Sequence, residues 1–569
     1  MASPNFPAPP AAVPATPLAE VDRIVAKLHA QKDAWIDTSI ERRIELLEAC
    51  VTASVHAGKG WVDAACRAKG LTPDDDSCGE EWLAGPMVLI RNLRLMINAL
   101  KANGAPKLRG LRTLPNGQQV AKVFPANFYD SLLFSGFIGE VYIEPGKEAS
   151  QGALYRQKAA GQRPEGGVAL VLGAGNVASI GPMDAIYKLF VDDEVVLVKT
   201  NPVNAYLGEF WEASFQPLVD IGVFAVVHGG AEVGQHLCYH DHIRSIHITG
   251  SDRTHDAIVW GGDPEEAEKR RAANDPKLTK PITSELGAVT PVMVVPGQWT
   301  DKELDFQARH IAGMVANNGS FNCNAAKSLV VASGWAQKDE FLARVRQHLQ
   351  ATPSRKAYYP GAQERYQGFL DRYPNAIPLG ERTEEIVPWT IIPNVPAVKG
   401  EYALSQEAFC GVLAEVELEA RDASEFIQEM VRFGNDVAWG TLSCMVLIDP
   451  RTEKAYKDQF EQAIRDLRYG GIGINVWAGV IYATVAPTWG AFPGHTLHDI
   501  QSGRGFVHNA FLLDHPQKSV LRAPFKIAPK PAWFADNKNT VQLGERMSRF
   551  EAWPSFFRLP SVIMAALKG

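Results

Sequence analysis

Cys323 lies in the polar turn Asn317-Asn318-Gly319-Ser320-Phe321-Asn322-Cys323-Asn324, between two apolar segments. Upstream, Leu304 to Ala316 carries Phe306, Ile311, Met314 and Val315 at helical spacing, and Asn317-Asn318-Gly319 supplies left-handed residues that end a helix. Downstream, Ser328 to Val331 reads as a buried strand. A thiol on the turn between them can reach a cavity, the placement a nucleophile needs. On its own, a free cysteine is more often a small buried hydrophobe. A second signal is Gly173-Ala174-Gly175-Asn176-Val177-Ala178, which satisfies the glycine fingerprint of dinucleotide-binding loops between a strand and a helix. The fingerprint's acidic partner, about twenty positions on, is missing, because the next predicted strand ends in Lys199. Cys238, His240 and His242, with Asp241, suggest a metal, yet their spacing is too tight for a usual zinc pair and no second pair follows. They read as an exposed loop, His495 and His498 are equally unsupported as ligands, and no metal site is expected.

The elements that must position these groups follow from apolar periodicity. Leu18 to Ser54 predicts two amphipathic helices and Glu80 to Ala102 another, closed by Asn103-Gly104. Gln118 to Pro145 is β-rich and interrupted by Gly and Pro. From Gly166 the pattern alternates: strand 168–172, helix 183–190, strand 195–198, helix 204–219, strand 224–228, then strand 246–249. Short β-branched strands separated by helices imply a parallel sheet with crossovers. Gly261 to Lys280 reads as a surface insertion, Thr290 opens a second α/β unit running to about Pro450, and Gly470 to Gly505 reads as irregular loops. The apolar tail from Phe550 to Leu567 is expected to pack on the protein itself.

Length and composition set the bounds. A chain of 569 residues exceeds one hydrophobic core, and 46% apolar with 21% charged residues is globular. A net charge of -7 and a pI near 6.1 favour small-molecule chemistry over nucleic acid. Seven cysteines without CxxC spacing fit reduced thiols in the cytoplasm. Residues 1–18 read as a disordered leader, and no uncharged apolar run approaches a membrane span.

The ordered set Asn176, Lys199, Gly230-Ala231-Glu232-Val233-Gly234, Gly250-Ser251, Glu285-Leu286-Gly287, Cys323, Glu407-Ala408-Phe409, Asn475 and Ser502-Gly503-Arg504-Gly505 resembles the aldehyde dehydrogenase superfamily over roughly residues 20 to 526. The resemblance implies an α/β fold with a Rossmann-type nucleotide-binding domain (19–118 and 147–287), an α/β catalytic domain (288–505) and a small β oligomerisation segment (119–146 and 516–526). Residues 527–569 form a C-terminal extension. It further implies Cys323 as nucleophile, Asn176 as oxyanion donor and Glu285 as base, with NAD or NADP as cofactor. Lys199, Gly230, Gly234, Gly250, Ser251, Glu407 and Phe409 would hold that cofactor, and the assembly would be a homodimer or dimer of dimers. The flanking Ile282 and Leu286 suit a partly buried Glu285, against the plainer reading of a surface acid. Asn176 would equally serve as a helix cap.

The chain departs from the family's pattern at several points. Gly175 and Val177-Ala178 replace Trp and Phe-Pro around the Asn, which should widen the floor of the substrate channel. Pro202 replaces an acidic residue that favours NAD, and Phe506-Val507 stand where many members carry Glu. Trp477, Trp489 and Phe492 would line an entrance suited to an apolar or aromatic aldehyde. Two alternatives remain: an acylating enzyme that passes the acyl group to coenzyme A, and a catalytically silent scaffold.

Overall fold

The strand Val168–Leu172 is central to a six-stranded sheet in the computed structural model, which describes residues 13–72 and 74–569. On one side lie Val195–Lys199 and then Phe224–Val227; on the other lie Ile243–Gly250 and Ile282–Leu286, all parallel. Gly503–Arg504 closes that edge antiparallel. All five residues of Val168–Leu172 are buried, which explains why the strand reads as an unbroken apolar run. The chain builds outward in one direction, returns to the centre and builds outward in the other. This reversal opens a crevice between the carboxyl ends of Val168–Leu172 and Ile243–Gly250, where doubly wound sheets bind ligands.

A second sheet has eleven strands. Its parallel part runs Gly471–Ile474, Ser443–Leu447, Pro291–Val294, Ser328–Ala332, Val412–Leu418, Thr390–Val395. The strands expected to bridge subunits pair inside this chain instead. Pro516–Arg522 lies parallel to Gly471–Ile474 and antiparallel to Ile138–Ile143, which continues into Gln119–Phe124 and Gly110–Thr113. Gly471–Ile474 falls within the segment read as loops. Its glycines hid it, and they are needed: a Cβ on Gly470 would lie 1.8 Å from the carbonyl of Gly490.

Other boundaries moved for local reasons. Glu80 to Ala102 is two helices, Cys78–Leu83 and Pro86–Lys101, because Pro86 lacks the N–H that would continue the first. The expected helix 204–219 is split into Pro202–Leu207, Gly208–Ser214 and Gln216–Asp220, the last with Pro217 in its first turn. The surface insertion contains an exposed helix, Pro264–Ala273. Of the leader, residues 1–12 lie outside the described residues. Thr16 N–H donates to the His228 carbonyl and His228 N–H to Thr16 Oγ1, each at 3.0 Å, and the first helix begins at Leu18.

The stretch Cys78–Lys101 is long and apolar enough to cross a bilayer, but 78% of its 18-residue apolar window is buried within the protein. The C-terminal helix Thr540–Ala552 covers it. Gly79 and Gly544 permit the contact, since added Cβ atoms would lie 2.3 Å from Thr540 and 2.4 Å from Trp82. Fully buried Arg91 ties the parts together. It donates to both Asp130 oxygens at 2.9 Å, to Glu551 Oε1 at 2.7 Å and to the Thr484 carbonyl at 2.7 Å.

Candidate active site

The helix Asp301–Ala316 starts on a capping box formed by Thr300 and Glu303. Three left-handed residues follow it, Asn318, Gly319 and Ser320, while Asn317 is not left-handed (φ -52°, ψ 133°). The turn beyond them is held by its carbonyls. Lys327 Nζ donates to those of Asn322, Cys323 and Ala325 at 3.0, 3.1 and 3.4 Å. Thr290 Oγ1 donates to the Cys323 carbonyl at 3.1 Å and Trp477 Nε1 to the Asn324 carbonyl at 2.8 Å. The Cys323 N–H makes no hydrogen bond among the described residues. Six of the seven cysteines are buried, and Cys323 alone is partly accessible.

Glu285 reaches this turn from the end of the Ile282–Leu286 strand, against the Cys323 thiol. Trp489 Nε1 donates to its Oε1 at 3.2 Å. Burial pushes the carboxyl up to about 7, against the pull of the Cys323 and Trp489 hydrogen bonds. Burial also pushes the thiol well above its ordinary value, with the Glu285 charge adding to the rise and Lys327 opposing it. A carboxylate that titrates near neutrality beside a thiol can accept the thiol's proton.

Asn176 joins the same turn from the glycine loop. Its side-chain Nδ2 donates to the Phe321 carbonyl at 2.9 Å, which leaves the second amide hydrogen for another acceptor. Its backbone carbonyl accepts from Lys69 Nζ at 3.2 Å and from Asn318 Nδ2 and the Tyr358 hydroxyl at 3.0 Å. Lys69 is neutralised by buried Glu81 at 2.6 Å and also donates to Asn318 Oδ1 at 2.8 Å. Glu80 accepts from the Asn318 N–H at 3.0 Å and pairs with Arg355 at 3.3 Å. Thus the three residues expected to act together do converge.

The crevice residues also gather. Lys199 ends its strand at the mouth, with its amine pulled down to about 8 by burial and no hydrogen bond or ion pair among the described residues. A Cβ on Gly234 would lie 3.9 Å from Lys199 Cε, one on Gly230 would meet nothing within 4 Å, and one on Gly250 would meet only Ile248. Ser251 caps the helix Asp252–Trp260, accepting from the Thr254 N–H at 3.2 Å. Glu407 is held by Lys327, whose Nζ lies 3.3 Å from the buried Glu407 Oε1. Phe409 is left-handed (φ 42°), with its ring 4.9 Å from Tyr359 and 5.9 Å from Phe321.

Two expectations fail. Gly175 does not widen a channel floor, because a Cβ there would lie 2.8 Å from both Asn201 Oδ1 and Val203 Cβ. Trp489 and Trp477 do not line an entrance. Both are buried, one bonded to the carboxylate and the other to the turn, while Phe492 is half-buried. Sequence reasoning also missed Lys327, whose signal was a cation between Ala326 and the buried strand, and the Lys69, Glu81 and Tyr358 network, which left no local signal.

A sequence model of the aldehyde dehydrogenase family matches residues 161–363. No curated protein matches the chain by sequence. Among solved structures, the aldehyde dehydrogenase KauB from Pseudomonas aeruginosa is similar at a TM-score of 0.59 and 16% identity, covering 90% of each chain. The NAD-dependent aldehyde dehydrogenase from Sinorhizobium meliloti is similar at 0.59 and 18%, over 91% of this chain and 89% of that one. The glyceraldehyde-3-phosphate dehydrogenase GapN from Methanocaldococcus jannaschii, complexed with NADP, is similar at 0.58 and 14%, over 92% and 99%.

Proposed function

We propose that the chain is a member of the aldehyde dehydrogenase superfamily and that it oxidises an aldehyde to a carboxylic acid through a cysteine thioester, with NAD or NADP. The observation that carries this reading is the buried Glu285 carboxyl, raised to about 7, against the one partly accessible cysteine.

The Cys323 thiol gives its proton to Glu285 as sulfur bonds to the carbonyl carbon, and the carbonyl π pair moves to oxygen. That oxyanion accepts from the free amide hydrogen of Asn176 and from the unengaged Cys323 N–H. Loss of one such donor costs roughly 100- to 1,000-fold in rate. Bound NAD(P) supplies the acceptor for the hydride that leaves this carbon. Glu285 releases that proton to solvent, takes another from the water whose oxygen bonds to the thioester carbon, and returns it to the sulfur as the carbon–sulfur bond breaks.

The chain's own residues fit such a cofactor. The Lys199 amine, which has no partner among the described residues, and the Lys327-paired Glu407 carboxylate suit the two ribose hydroxyl sets, and the open Gly230 and Gly234 admit close approach. The Ser251 helix end suits a pyrophosphate. Pro202 supplies no charge to disfavour a 2′-phosphate, and the similar structures include an NAD-dependent enzyme and an NADP complex.

The proposal keeps the division into nucleotide-binding, catalytic and oligomerisation parts; the two separate sheets support the first boundary, while the 119–146 and 516–526 strands extend the catalytic sheet. It also keeps a cytoplasmic homodimer or dimer of dimers. Seven free cysteines support a reducing compartment. Exposed Phe128, Phe556 and Phe557 support self-association, which light scattering on the eluting protein would measure.

The test is an aldehyde panel with both cofactors, comparing wild type and Cys323→Ala, with and without coenzyme A. Free acid formed by the wild type, and none by the variant, is expected. Obligate acyl transfer to coenzyme A, or turnover that survives Cys323→Ala, would overturn it.

A further inference from the structure

Three metal-ligating side chains from distant parts of the chain meet at the carboxyl end of the helix Ala231–Tyr239, whose opposite end carries Gly230. His236 in the last turn and His240 just beyond it are four residues apart, so both imidazoles lie on one face. Asp22, from the helix Leu18–Ile36, faces them. Its Oδ1 lies 2.5 Å from His236 Nε2 and 3.5 Å from His240 Nε2. The three ligand atoms lie within 4.8 Å of one another, and bonds of about 2.0–2.2 Å to one ion require only that Asp22 and His236 draw slightly apart from their hydrogen bond.

The surroundings favour a cation over two independent hydrogen bonds. Both Nε2 atoms face a single carboxylate oxygen, and the two rings lie side by side, their centroids 5.8 Å apart. One divalent ion would satisfy both nitrogens and the carboxylate together. His242 packs beside them, its ring 5.5 Å from that of His240 and stacked on His29 at 4.1 Å. A cavity of about 570 Å³, lined by His236, His240, His242, Asp241 and Glu232, opens in front and leaves room for a water ligand. Cys238, which the sequence offered as a ligand, is buried on the other side of the helix and takes no part.

We propose that Asp22, His236 and His240 bind one divalent transition-metal ion of the Zn²⁺ class, with the cavity side open to water. Two imidazoles and one carboxylate select such ions over Ca²⁺ or Mg²⁺. The ion would clip the first helix, which packs on the six-stranded sheet, to the helix that follows Gly230.

The experiment uses untagged full-length protein, stripped by chelator and titrated with Zn²⁺ against a chromophoric competitor, with thermal unfolding followed in parallel. One saturable equivalent and a rise in Tm are expected. Losing an outer contact to a ligand costs about 10- to 100-fold in affinity, so His236→Ala and His240→Ala should each weaken binding at least tenfold. Cys323→Ala should bind as wild type does, which separates this site from the thiol. Metal-free variants must match the metal-free wild type in Tm, and His240→Gln offers a second variant should His240→Ala misfold. Adventitious binding only, seen as no saturable equivalent or as a site indifferent to both histidines, would overturn the proposal, as would loss of binding in Cys323→Ala. Either result leaves the aldehyde reading untouched.

Discussion

A carboxyl held near 7 makes both rate and stability depend on pH. As a base, Glu285 must be ionised, so turnover should climb as pH rises through about 7, and Glu285→Gln should flatten that limb and slow both thioester formation and its hydrolysis. The folded state holds this proton more tightly than the unfolded chain, whose value is near 4.5. The stabilising contribution is therefore complete below about 4.5 and is lost as pH rises through about 7. Glu285→Gln should accordingly gain up to about 3 kcal/mol over wild type at pH 8 and nothing at pH 4, read from Tm against pH. The Asn176 amide depends on its carbonyl, which three donors hold. Tyr358→Phe removes one without stranding a charge. It should lower kcat about tenfold, near the 1.4 kcal/mol scale of one hydrogen bond, and leave cofactor KM unchanged. An unchanged kcat would show that Lys69 and Asn318 suffice.

At the scale of elements, the strand end at Glu285 and the loop carrying Glu407 meet in a close approach that only glycine allows. A Cβ on Gly287 would lie 1.8 Å from Glu407 Oε2, so the loop carrying Glu407 can seat against the strand only because residue 287 has no side chain. Gly287→Ala should displace Glu407 from Lys327 and raise cofactor KM about tenfold or more. Thermal stability should change far less. Loss of stability with unchanged KM would mean that Glu407 does not meet the cofactor. The same principle explains Gly175, which the sequence suggested as open space and the fold uses for contact.

At the scale of the molecule, Arg91 binds parts that lie hundreds of residues apart. It links the N-terminal helices to the 119–146 segment through Asp130 and to the C-terminal extension through Glu551. Removing one partner of a buried ion pair costs about 3–5 kcal/mol, so Glu551→Ala should lower the urea midpoint sharply. The extension also braces the active site indirectly. Its first helix packs on Cys78–Leu83, which carries Glu80 and Glu81, the partners of Arg355, Asn318 and Lys69. Removal of residues 540–569 should therefore reduce activity as well as stability.

The periodicity of Leu304 to Ala316 and the β-branched runs at 168–172 and 195–198 were legible because local spacing dictates which face of an element is buried, while the motifs from Asn176 to Phe409 were legible only through their resemblance to a family. Those signals gave the alternating α/β pattern and the residues that converge on the crevice. They could not give pairings with no local trace: the Lys69 and Glu81 clamp on Asn176, the Trp489 hydrogen bond to Glu285, the in-chain closure of the larger sheet, or Asp22 opposite His236. Glycine was misread for the same reason. A missing side chain means room in a sequence, but in a packed interior it means that something else has come close, and only the tertiary structure decides what.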